Sequence, residues 1–130
     1  MTDHTIERIA EIIMTITTSY DQLKEFEKNG CTKEKLENEL ISIRDTAGEI
    51  PSLLAQIFKE HPEQMQSLLN LVPMFKMPFT GTISLMIPLI KQQQNITDDW
   101  IKTQSSMAIA LMNENSTMDA LKAILTFLRP

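Results

Sequence analysis

Thiolate catalysis needs a cysteine whose proton is drawn off by a positive helix end or a neighbouring base. The 130-residue sequence offers one candidate, Cys31. It follows Asn29 and Gly30, a pair that supplies a left-handed helix stop, and precedes Thr32, a good N-cap, so a helix dipole could act on its thiol. His4 or His61 would have to serve as the base. No orienting motif surrounds these residues, and a small side chain at a turn is the simpler reading of Cys31. His61, beside Pro62, reads as a linker or capping residue. Glu34, Glu37 and Glu39 alternate with Lys33 and Lys35 as a solvated helix face does, which argues against an acid–base pair.

Metal and phosphate chemistry lack their residues. Two histidines and one cysteine cannot complete a zinc site of the usual kind without carboxylates, and no Glu stands three residues before a His as in di-iron helical bundles. Gly30, Gly48 and Gly81 are isolated, with no Gly-Lys-Ser or Gly-Lys-Thr among them. The expectation is a chain that is not an enzyme and takes no cofactor and no metal.

The elements that would position any site are helical. Val72 is the only valine against sixteen isoleucines and fourteen leucines, and with three glycines this composition suits helices better than strands. Apolar residues at Ile6, Ile9, Ile13, Ile16, Tyr20 and Leu23 alternate spacings of three and four, which predicts a long first helix. Ile12, Met14 and Phe26 widen its stripe beyond what one hairpin partner covers, so self-association through this helix is expected. A second helix repeats the pattern at Leu36, Leu40, Ile43, Ala47 and Ile50, and the short link makes it an antiparallel neighbour. Gly48 and Pro51 are expected to interrupt it, leaving a short third helix over 52–60 and a fourth from Pro62 to about Leu71. Thr97 caps a helix with Trp100, Gln104, Met107, Ala108 and Leu111 on one face, and the last helix carries Leu121, Ile124, Leu125 and Leu128. The fold class read from this is all-α: a compact bundle of about six to seven helices, opening with a long antiparallel αα-hairpin, its middle helices broken by prolines. Residues 1–130 read as a single domain, with a charged hairpin and short helix in 1–62 and charge-poor, Met-rich helices in 63–130.

Charge divides the chain. Residues 1–63 hold thirteen acids and seven bases, net −6; residues 64–130 hold four acids and five bases, net +1. This excludes a nucleic-acid binder working through a basic stripe, and one cysteine excludes a disulfide scaffold. Between 64 and 90 the single charge is Lys76, and three prolines (Pro73, Pro78 and Pro88) interrupt the apolar residues. The longest charge-free stretch there, 77–90, is fourteen residues, too short for a membrane span. An N-terminus opening with Asp3, His4, Glu7 and Arg8 is no secretory signal, so a cytoplasmic protein is expected.

Seven of the nine methionines fall in the charge-poor half: Met65, Met74, Met77, Met86, Met107, Met112 and Met118. Methionine surfaces repack around partners of different shape. The functional expectation is an acidic helical interaction protein, an adaptor, chaperone-like or regulatory module. Its protein-binding surface is expected from Leu69, Val72, Met74, Phe75, Met77, Phe79, Leu85, Met86, Met107 and Leu111. A homodimer is a further expected form. The alternative is a protein binding lipid or another apolar small molecule in an internal cavity or at a membrane surface.

Overall fold

Helix α1 spans Asp3–Asn29 and α2 spans Lys33–Glu60. Gly30 ends α1 at φ +77°, and its N–H donates to the Phe26 carbonyl at 2.8 Å. Thr32 then opens α2, its hydroxyl accepting from the Lys35 N–H at 3.2 Å. The computed structural model describes residues 3–64, 66, 78–114 and 117–128. Beyond a 3-10 turn at Pro62–Gln64 come α3 (Pro78–Gln92), α4 (Asp98–Glu114) and α5 (Thr117–Leu128). The fold is all-helical, with no strand among the described residues.

Polar contacts between helices give their directions. Arg8 on α1 pairs with Glu49 on α2, so these two run antiparallel. Lys33, at the start of α2, donates its Nζ to the Lys91 carbonyl at 2.7 Å and the Gln93 carbonyl at 3.2 Å, closing the C-terminus of α3. Tyr20 donates its hydroxyl to Asn113 Oδ1 at 2.8 Å and Ser106 donates to Glu27, which sets α4 antiparallel to α1. The first four helices therefore run up, down, up, down. Helix α1 packs on α2 and α4, and α2 on α3; α5 lies against α1 and α4; α3 and α4 touch at only a few positions. All five helices contribute to one core, represented by Ile16, Leu40, Ile83, Ile109 and Ile124.

Three expectations are corrected. The expected breaks at prolines are absent from the five α-helices described: α2 continues through Pro51 and α3 through Pro88. Both prolines face solvent, where the carbonyl each leaves unpaired can reach water, while Ile50, Leu54 and Ile57 on α2, and Ile83, Ile87 and Ile90 on α3, stay buried across the interruption. Core burial holds the helix where local rules would end it. The helix expected from Pro62 begins as the 3-10 turn, and its continuation to Leu71 falls largely outside the described residues. The basis for self-association through α1 also goes: Ile12 and Phe26 are buried, because α1 is packed from several sides, and of the widened stripe only Met14 is exposed.

Two glycines make a paired test of this backbone. A Cβ on Gly30 would meet the Asp98 carboxylate at 3.3 Å in addition to the strain of its positive φ, whereas one on Gly48 meets nothing within 4 Å. Gly30→Ala should cost about 1–2 kcal/mol, and Gly48→Ala should add about 0.5–1 kcal/mol, in urea titrations of each variant. Shifts of equal sign would contradict the turn described above.

Candidate functional site

Helix α4 decides where a site can form. Its inward positions are Ile101, Ser105, Ala108, Ile109 and Met112. The expected face is thereby corrected: of Trp100, Gln104, Met107, Ala108 and Leu111, only Ala108 is fully buried, and Met107 is 52% exposed. The reason lies at Ser105, which donates its hydroxyl to the Ile101 carbonyl at 2.9 Å and so enters the core with no unpaired polar group. A reading by apolar type passes over that position and rotates the helix. The true rotation leaves α4 with a second apolar stripe, Met107, Ala110 and Leu111, beside α3.

Because α3 and α4 are joined by 93–97 yet packed mainly on α2 and α1 respectively, an apolar groove opens between them. It has a volume of about 240 Å³ and is open to solvent, with Thr82 and Met86 on one side and Met107, Ala110, Leu111 and Glu114 on the other. A second cleft of about 520 Å³ shares Met107 and Ala110 and continues past Ser106, Thr103 and Lys102 to Asp99. Together they follow α4 from Asp99 to Glu114, about 22 Å at 1.5 Å per residue. On α3, next to this groove, Leu85 and Leu89 stand one turn apart and are 68% and 65% exposed.

Of the surface expected from the sequence, Met107 and Leu111 come together in the groove and Leu85 lies beside it; Met86 is corrected to a core residue, packed inward with Ile83 and Ile87, that reaches the groove only at its floor. Leu69, Val72, Met74, Phe75 and Met77 lie outside the described residues, as does the side chain of Phe79, whose backbone is in the first turn of α3. Met112 is withdrawn from any such surface, since it is fully buried in the core; Met65 and the side chain of Met118 lie outside the described residues. Thr82, Leu89, Ala110 and Glu114 were not anticipated. The spacing of 107, 110, 111 and 114 carries the signal, but only once the inward face of α4 is known.

The candidate nucleophile is not assembled into a site. Cys31 is half-buried, burial pushes its thiol up against a smaller opposing pull from Lys35, and its Sγ lies 3.2 Å from the Thr32 carbonyl. Helix α2 separates Cys31 from His61 by about 40 Å, and antiparallel α1 puts His4 at that same far end. His61 caps α2, donating its N–H to the Ile57 carbonyl at 2.7 Å, and its Nδ1 lies 3.0 Å from Glu63 Oε1. The Glu63 carboxyl is held below its usual range by its own backbone N–H and then by His61. Among the described residues no three His, Cys, Asp or Glu side chains gather as metal ligands, and no helix is long and apolar enough to cross a membrane.

No protein-family model, curated protein or solved structure matches the chain.

Proposed function

We propose that the protein is a non-enzymatic helical interaction module, adaptor or chaperone-like, of a reducing, cytoplasmic setting, and that it holds an amphipathic helix of a protein partner along α4. The observation that carries this is the second apolar stripe of α4, Met107, Ala110 and Leu111, which lines the groove against α3; a more polar cleft continues it along α4 to Asp99. A slot between two helices, with wall residues spaced by three and four, receives the apolar face of a third helix. Met107, half-exposed, gives its wall a side chain that repacks around different apolar anchors. A lipid or other apolar small molecule suits the site less well. The apolar part, at about 240 Å³, is smaller than the roughly 300–1,000 Å³ of usual ligand pockets and is not enclosed.

The test is a photo-reactive amino acid at Ala110, expressed in the native host. The expected result is an adduct on an amphipathic helical segment of a protein, lost when Thr82→Glu and Met107→Glu, at two exposed wall positions, are introduced together. A synthetic peptide of that segment should then shift the methyl resonances of Met86 and Met107. Adducts confined to lipid, or adducts that survive both substitutions, would overturn the reading.

A further inference from the structure

We infer that the helix received by this groove is α3 of a second copy of the chain, in a two-fold symmetric dimer. The inference rests on the helix-docking reading above and names its occupant. Each copy carries a ridge and a groove side by side: Leu85 and Leu89 project from α3, and Met107, Ala110 and Leu111 line the groove next to them. A two-fold contact requires that if one patch meets another, the reverse meeting occurs as well. Adjacent ridge and groove satisfy this, because the ridge of each copy enters the groove of the other.

The distribution of charge favours this face for a second copy. The chain has a net charge of −5, and 1–63 carries −6, so a contact through the first two helices would set acid against acid. Helix α3 has no charged residue from Pro78 to Ile90; the apolar groove carries Glu114 at one end, and the cleft that continues it carries Lys102 and Asp99, which offset one another. On this surface two acidic copies meet with less like-charge contact than through α1 and α2. An apolar contact between acidic bodies has a distinctive salt response: screening weakens the repulsion between the bodies and leaves the contact intact, so association strengthens as salt is added.

Sedimentation of the full chain from micromolar to millimolar concentration tests the inference. The expected result is a monomer–dimer equilibrium that tightens with added salt. Leu85→Glu, which places a carboxylate against the methionine-lined groove, should weaken it by about tenfold or more. Ala110→Lys should do the same from the groove side. Mixing the two variants should restore dimers, since one ridge–groove contact in the mixed pair then joins Glu to Lys and the other keeps the original residues; a variant that had merely misfolded would not be rescued. A wild-type chain that stays monomeric throughout would overturn the inference, as would dimers indifferent to Leu85→Glu or a mixture that shows no recovery. The two readings fail separately: a monomeric chain whose Ala110 probe still captures a helix of another protein sinks the self-pairing alone.

Discussion

Ile16→Ala should lower the stability of the folded chain by about 3 kcal/mol, read as a fall of about 10 °C in Tm and an earlier urea midpoint with unchanged slope. Ile16 is fully buried on α1, the helix that α2, α4 and α5 all pack against. Truncating it removes three side-chain carbons from the centre of the bundle, and neighbours held in three different helices cannot all move in to fill the space. The loss is therefore transfer energy plus a cavity. A domain of this size is stable by about 5–15 kcal/mol, so one such change removes a substantial share. Met14→Ala, two residues away and on the solvent face, should change Tm by little, because Met14 is 71% exposed. Equal effects at the two positions would mean that α1 does not occupy the interior.

Pro51→Ala should act in the opposite direction, raising stability by about 2 kcal/mol. An interior helical proline costs about 3 kcal/mol relative to alanine, through a missing N–H and a clash between its ring and the carbonyl four residues back, here that of Ala47. Part of the gain is offset because alanine frees the unfolded chain. The prediction follows from the unbroken helix Lys33–Glu60 and from the solvent-facing position of Pro51, which lets alanine enter without disturbing the core. Thermal unfolding of the variant should show Tm raised by several degrees. An unchanged or lower Tm would indicate two helices meeting at Pro51, where the proline is favourable.

Much of the architecture was legible where burial and local propensity agree. On α2 the five residues that recur at helical spacing, Leu36, Leu40, Ile43, Ala47 and Ile50, are all buried, and the stop at Gly30 and cap at Thr32 lie where their side chains and backbone freedom require. Legibility failed where packing outweighs a local signal. Pro51 and Pro88 do not end their helices, since buried isoleucines on both sides hold the segments together. Ile12 and Phe26 looked like a surplus stripe because the number of helices around α1 is not written in α1 itself. At Ser105 a hydroxyl satisfied within its own helix belongs to the core, and missing it rotated α4 away from its true face.

The candidate site shows the same division. Methionine content, the scarcity of charge after residue 63 and the helical period of each segment are properties of the chain, and they are enough to say that apolar surface is concentrated in its second half. Which part of that surface stays in contact with water is a property of the arrangement. Met112 and Met107 are five residues apart on one helix, yet one is sealed in the core and the other lines the groove, because the packing of α4 on α1 consumes one of its apolar faces and the separation of α3 from α4 spares the other. Helical period gives an apolar residue its angle around its own axis. Only the positions of the neighbouring helices determine which angles are covered.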